Sequence, residues 1–293
     1  MPSVIELIDL GAARLEAAGV AFGHGTDNAF DEAAWLVLWQ LGLPLDELDA
    51  VADRPVAAAQ VAQVDALLER RIDTRRPAAY LTNEAWLQGV AFYVDERAIV
   101  PRSFIAELIV DGEFDSWLGE HTRHVLDLCT GNGSLAVLAA MAWPEIEVTA
   151  ADISVPALEV AAINVARHGL DHRIALVESD GLAHLDGAFD LVLCNPPYVN
   201  ADSMAALPAE YRAEPALALA GGSDGMDFIR ALLHELPSRM SPQAVLVLEI
   251  GNERPHFEAA FPTLEAIWLE TSAGDDQVLL VTREALLKLT PSS

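Results

Sequence analysis

Asn195-Pro196-Pro197-Tyr198 puts a side-chain amide, carbonyls without neighbouring N–H groups and a phenol ring into four consecutive positions. Neither proline nitrogen can donate a hydrogen bond and each ring fixes φ. Pro196 also pushes Asn195 out of the helical region. The segment follows the apolar run Phe189 to Cys194, which reads as a buried parallel strand. A stiff turn at the carboxyl end of such a strand lies where open α/β sheets place their ligands. It suits a planar amino or amide group, which needs acceptors for its hydrogens and a face to stack on. The plainer alternative is a rigid strand-to-loop turn.

Upstream, Gly131-x-Gly133-x-x-Ala136 follows the strand-like run Val125 to Thr130 and opens a helix, the dinucleotide fingerprint in its Ala-terminated form. Asp152, 19 residues after Gly133, ends the next strand, where a carboxylate can accept both ribose hydroxyls. A nicotinamide dinucleotide and S-adenosylmethionine both fit this pattern. Asp127 lies just before the glycines, where negative charge suits a cationic methyl donor better than a pyrophosphate; otherwise it is a buried acid capping the turn. Asp180 closes the third strand and either approaches the adenine or caps the following turn. The strand Val125 to Thr130 and the strand that leads into Asn195 become neighbours across the switch point of a doubly wound sheet, so the Asn-Pro-Pro-Tyr turn faces the donor. Asn195 and the carbonyl of Pro196 then accept the two hydrogens of a planar nitrogen and aim its lone pair. No Ser-His-Asp set and no metal-spaced His or Cys cluster stands out, so no metal is expected.

The elements that position these residues follow from periodicity. Apolar residues at helical spacing predict helices over 3–18, 28–41 (started by Thr26 or Asp27, with Trp35, Leu36, Leu38 and Trp39 in the core) and from Pro55 at N1 to Ile72, a small bundle. Arg70, Arg71, Arg75 and Arg76 read as a solvated helix end. From Pro77 to Arg102 the period changes to two, predicting a hairpin with a further strand at Ala98 to Val100; a helix then runs from Ser103 to Leu118. Beyond His121, strands and helices alternate as in a parallel sheet, and the last two strands read as an antiparallel pair. A long loop is expected from Ala201 to Gly225.

The chain has 293 residues, 52% of them hydrophobic, with 17 Lys and Arg against 45 Asp and Glu, a formal charge of −28. Such a surface repels phosphate backbones, whose protein affinity rests on cationic contacts, and suits a basic protein partner. Cys129 and Cys194 are too few for a disulfide framework and are expected as two close, reduced thiols. The N-terminus carries Glu6 and Asp9 without a signal-peptide pattern, and the most apolar stretch, Ala33 to Leu45, is too short to span a bilayer. A soluble cytoplasmic protein is expected.

Asp127-Leu128-Cys129-Thr130-Gly131-x-Gly133, Asp152 and Asn195-Pro196-Pro197-Tyr198 together resemble the class I S-adenosylmethionine-dependent methyltransferases that modify glutamine side chains, over nearly the whole chain. Of two branches, one acts on peptide-chain release factors and one on ribosomal protein L-three. Ala79 to Asn83, Phe92 to Arg97, Val100 to Ser103 and Glu210-Tyr211-Arg212-x-Glu214-Pro215 look like the ribosomal-protein branch. The resemblance implies that Cys129, Thr130, Gly131, Asn132, Gly133, Asp152 and Asn195 contact S-adenosylmethionine, which leaves as S-adenosylhomocysteine. It implies that Asn195, Pro196, Pro197 and Tyr198 hold the glutamine. It also implies an α/β fold: a doubly wound seven-stranded sheet over 103–293, a substrate-recognition helical bundle over 1–78 and a β-hairpin linker over 79–102. Asn132 departs from the Ser or Thr usual there, and Gly274-Asp275-Asp276-Gln277 replaces a more glycine-rich turn. The competing readings are a nucleic-acid amino-methyltransferase, which would want a basic groove, a nicotinamide oxidoreductase, which leaves Asn195 to Tyr198 unexplained, and a non-catalytic binder.

Overall fold

A computed structural model describes residues 1–289; positions 290–293, the tail of the stretch assigned above to the methyltransferase domain, lie outside the described residues. Helix α1 (Val4–Ala17) starts with a capping box, Ser3 and Glu6 each accepting the other's backbone N–H. Helix α2 (Ala29–Leu41) is capped by Asn28, whose Oδ1 accepts from Asp31 N at 3.0 Å, rather than by Thr26 or Asp27, and it stops at Gly42 with φ 64°. After α3 (Leu48–Val51), helix α4 (Ala58–Thr74) begins later than expected, because Pro55 is taken up in a bridge to Ser3. Leu7, Ile8, Leu15, Leu36, Leu38 and Leu68 form the bundle core, while Trp35 and Trp39 pack only at its edge.

The arginine cluster is only in part a solvated helix end. Arg71 is fully buried and donates to Glu32 at 2.8 Å, to Glu210 at 3.4 Å and to the Ala21 carbonyl at 3.1 Å. Arg75 donates to Glu210 at 3.1 Å, so the bundle is tied to the loop that follows the Asn195 turn. Burial of a cation is tolerated because its donors find acceptors.

A short helix, α5 (Ala78–Thr82), precedes the expected hairpin, β1 (Ala85–Leu87) paired antiparallel with β2 (Val90–Phe92). The strand expected at Ala98 to Val100 does not form. The Val100 N–H donates to the Glu214 carboxylate at 2.9 Å instead of to a ladder. Helix α6 (Ile105–Asp111) is halted by Gly112 at φ 69°, and the remainder of the expected helix is a single 3-10 turn, Asp115–Trp117.

The sheet alternates with helices in the order β3 (His124–Leu128), α7 (Ser134–Ala142), β4 (Glu147–Asp152), α8 (Val155–Arg167), β5 (Ile174–Glu178) and β6 (Phe189–Cys194). Next come α9 (Ala201–Ala206), α10 (Asp227–Glu235), β7 (Met240–Glu249), α11 (Arg254–Ala260), β8 (Ile267–Thr271), β9 (Gly274–Thr282) and α12 (Arg283–Leu287). The expected long loop thus contains α9 and two 3-10 turns, Tyr211–Ala213 and Ala216–Ala218. The seven strands lie in the order β5-β4-β3-β6-β7-β9-β8, parallel through β7 and antiparallel at β9 and β8. Alternate residues of each strand feed two cores. Val125, Leu191 and Val247 pack with α6 and α7 on one face, and Leu126, Val192 and Leu248 with α10 and α12 on the other. Among the described residues no helix is long and apolar enough to cross a membrane.

Candidate active site

The strand order reverses between β3 and β6, and there the sheet opens a cleft with a cavity volume of about 200 Å³. Leu128 pairs with Cys194 across these two strands, so the residues that follow, Cys129 and Asn195, leave the sheet side by side. After β3 the backbone turns through left-handed conformations at Cys129 (φ 62°), Gly131 (φ 56°) and Gly133 (φ 81°). Cys129 pays a steric cost there that a glycine would not. Its thiol hydrogen-bonds Cys194, and this contact, with burial, raises its pKa well above the ordinary value; both cysteines are free.

Of the residues singled out from sequence, Cys129, Thr130, Gly131, Asn132, Asp152, Asp180, Asn195 and Pro197 line the cleft. Asp127, Gly133, Pro196 and Tyr198 are off its wall. Asp127 is fully buried behind the turn, where one carboxylate oxygen accepts from the Thr130 hydroxyl at 2.5 Å and from Ala136 N at 3.0 Å. Burial pushes its carboxyl up to about 7, against the pull of those donors. The site is that of a buried acid beneath the turn. Gly133 packs on α8, where an added Cβ would stand 3.1 Å from the Ala161 methyl group. Tyr198 turns its ring into the protein, and its hydroxyl donates to Glu249 at 3.3 Å; this replaces the stacking face expected from sequence.

Asp152 accepts from Gly131 N at 2.9 Å and from Ser154 N at 2.8 Å, so it locks the turn and starts α8 while one side remains open to the cleft. Burial raises its pKa in spite of these bonds. Asn132 keeps its Oδ1 on Ser134 N at 3.2 Å, but its buried Nδ2 has no partner within the protein. Next to Asn195 the other polar side chains are engaged, Tyr198 by Glu249 and Asn200 by Glu253 at 2.7 Å. Asn195 is left as the turn's polar side chain on the cleft. Among the described residues no three His, Cys, Asp or Glu side chains gather as a metal site would require.

Residues 6–82 match the PrmC N-terminal domain and residues 113–211 the Methyltransferase small domain. A ribosomal protein uL3 glutamine methyltransferase of Bordetella pertussis is 54% identical over 284 residues, 96% of this chain and 95% of the relative. One from Neisseria gonorrhoeae is 47% identical, covering 98% of this chain and 96% of the relative. This chain belongs to the uL3 glutamine methyltransferase family. Among solved structures, the hMettl16 catalytic domain in complex with a MAT2A 3′UTR hairpin superposes with a TM-score of 0.52 at 13% identity, over 80% of this chain and 83% of that one. A methyltransferase from Pyrococcus furiosus gives 0.50 at 20% identity, over 67% and 90%. The fold is the class I methyltransferase fold.

In this member of the uL3 glutamine methyltransferase family, sequence reasoning missed three groups around the site. Glu249 closes an apolar run, Ala244 to Leu248, and a carboxylate there was the available signal. Ser103 lines the cleft and donates to Glu249 at 2.5 Å. Glu214, part of a motif noted only as a branch mark, has a fully inaccessible side chain and receives Arg102 of the cleft wall.

Proposed function

We propose that this protein methylates the side-chain amide nitrogen of a glutamine in ribosomal protein uL3, using S-adenosylmethionine. The observation that carries the reading is the adjacency of Cys129 and Asn195. It brings the glycine turn and the Asn-Pro-Pro-Tyr turn to one cleft, and the full-length likeness to uL3 glutamine methyltransferases names the acceptor.

The cleft suits the donor. Asn132 offers a buried amide N–H with no protein partner, as a ligand carboxylate would require, and Asp152 and Asp180 present carboxylates to hydroxyl and amino groups. Cys129, Thr130 and Gly131 complete that wall, with Asp127 and Gly133 acting beneath it as braces. When bound, S-adenosylmethionine supplies an electrophilic methyl group and leaves as S-adenosylhomocysteine. Asn195 accepts hydrogens of the glutamine amide, which raises electron density on a nitrogen whose lone pair is otherwise delocalised. Pro196 and Pro197 deny the turn other conformations, so this orientation is prepaid. The nitrogen's surplus proton is acidic after transfer and passes to water.

The helices of residues 1–78 and the hairpin of 79–102 select the substrate, and 103–293 carry the transfer. A cytoplasmic enzyme of charge −28 meets its basic partner as free protein before assembly and binds no nucleic acid directly. Mass spectrometry of purified uL3 incubated with enzyme and donor is the test: one added methyl group on a glutamine-bearing peptide is expected. Methylation of a release factor with uL3 unchanged would replace the acceptor, and methylation of neither would end the proposal.

A further inference from the structure

Glu249 is the last residue of β7, beside the strand that leads into Asn195, and it is 2% exposed. Its carboxylate collects donors from two sides of the cleft. Oε2 accepts from Ser103 Oγ at 2.5 Å and from Phe104 N at 2.9 Å, and Oε1 from Tyr198 Oη at 3.3 Å. Ser103 is itself on the cleft wall, whereas Tyr198 ends the turn that Asn195 begins. A buried carboxylate at the end of an apolar strand is expensive for the fold, and an apolar residue would serve the sheet as well.

Glycines let the chain pack closely around the tyrosine. A Cβ on Gly251 would lie 2.5 Å from the Tyr198 ring, one on Gly225 2.2 Å from the Tyr198 carbonyl oxygen and one on Gly221 2.7 Å from the Tyr198 Cα. Gly251 thus lets the chain lie against the ring, Gly225 and Gly221 let it lie against the tyrosine backbone, and Glu249 meets the hydroxyl at the ring's end. We propose that Glu249 is a positioning residue for methyl transfer, fixing the Asn195 turn and the Ser103 wall in one relative geometry through Tyr198 and Ser103. The inference rests on the role given to Asn195 above. A misplacement of about 1 Å in a reacting group can cost about a hundredfold in rate, so such a tether is felt in turnover before it is felt in binding.

The experiment compares wild type, E249Q, Y198F and the double variant on uL3 at saturating donor. Donor affinity is measured by calorimetry and the Tyr198 ring carbon by NMR of protein labelled with 13C-tyrosine. E249Q is expected to lose about tenfold or more in kcat while KM for uL3 and the donor Kd stay within about twofold. The double variant is expected to be no slower than the slower single variant, because the two residues act through one contact. The Tyr198 resonance should move in E249Q. Wild-type kcat in E249Q, multiplying losses in the double variant, or donor affinity falling in step with rate would each overturn the inference. The NMR reading needs no acceptor, so an unmoved Tyr198 resonance in E249Q overturns the tether itself. Wild-type enzyme that binds donor yet leaves uL3 unmethylated overturns the function instead.

Discussion

Arg102 and Glu214 meet as a bidentate pair, with the two terminal guanidinium nitrogens each 2.7 Å from a carboxylate oxygen. Arg102 belongs to the cleft wall, and Glu214 precedes Pro215, Leu217 and Ala218 on the same wall. His24 Nε2 of the N-terminal region stands 3.4 Å from the same carboxylate, and Tyr211 lies against the His24 ring at 4.2 Å. The pair thus joins the helical bundle, the segment after the hairpin and the loop after the Asn195 turn.

Breaking one side of this pair strands the other charge. Glu214→Gln is expected to cost about 3–5 kcal/mol of stability in denaturant unfolding, and Arg102→Met with Glu214→Leu together markedly less than the two single changes summed. Strict additivity would show that the pair contributes little as a pair. Burial alone would raise the Glu214 carboxyl, but Arg102 and His24 outweigh it and hold it at about 2. A depressed folded-state pKa contributes stability that is present above the ordinary carboxylate range and lost as pH falls toward 2. Wild type should therefore lose more on acidification than Glu214→Gln.

Asp127 has the opposite sign. Its folded-state pKa is raised to about 7, so its contribution is fully present below the ordinary value of 3.8 and is lost as pH rises through 7. Between about pH 4 and pH 7.5 the unfolding free energy of wild type should fall more steeply than that of Asp127→Asn, by roughly a few kcal/mol. Parallel curves would mean that Asp127 is ionised throughout.

Asn195 and Asp152 should separate kinetically. Asn195→Ala is expected to abolish transfer and leave most donor affinity, since its amide acts on the acceptor in the transition state. Asp152→Ala should weaken donor binding by about 1–3 kcal/mol. A rate above a tenth of wild type in the first, or unchanged calorimetry in the second, would remove the assigned role.

Steering by charge should be visible in salt. Exposed charges are screened beyond about 8 Å at physiological ionic strength, so kcat/KM on free uL3 should fall as salt rises, and activity on assembled large subunits should be low. Salt-independent, equal rates on both would refute a charge-guided encounter.

The parallel strands, the glycine turn and the place of Asn195 were legible because each is written in consecutive residues: apolar runs, φ-permissive glycines, two prolines. What stayed hidden depends on contacts between distant parts of the chain. Ser103 and Glu249 are 146 residues apart, and Arg71 and Glu210 are 139 apart. No local period announces that four arginines at a helix end are partly interior, or that Val100 gives its N–H to a side chain and so loses its strand. Tyr198 was visible as a residue of the turn, but its inward direction shows only once the fold brings Glu249 to its hydroxyl and Gly251 against its ring.

The strand order β7-β9-β8 sets a condition on closing the sheet. β9 follows β7 and β8 in the chain, yet it lies between them, and β8 reaches the sheet only through it. Without Gly274 to Thr282, β7 would present a bare edge at Glu249, which pairs with Val278. The last of the seven strands in chain order thus completes the sheet beside the acceptor turn.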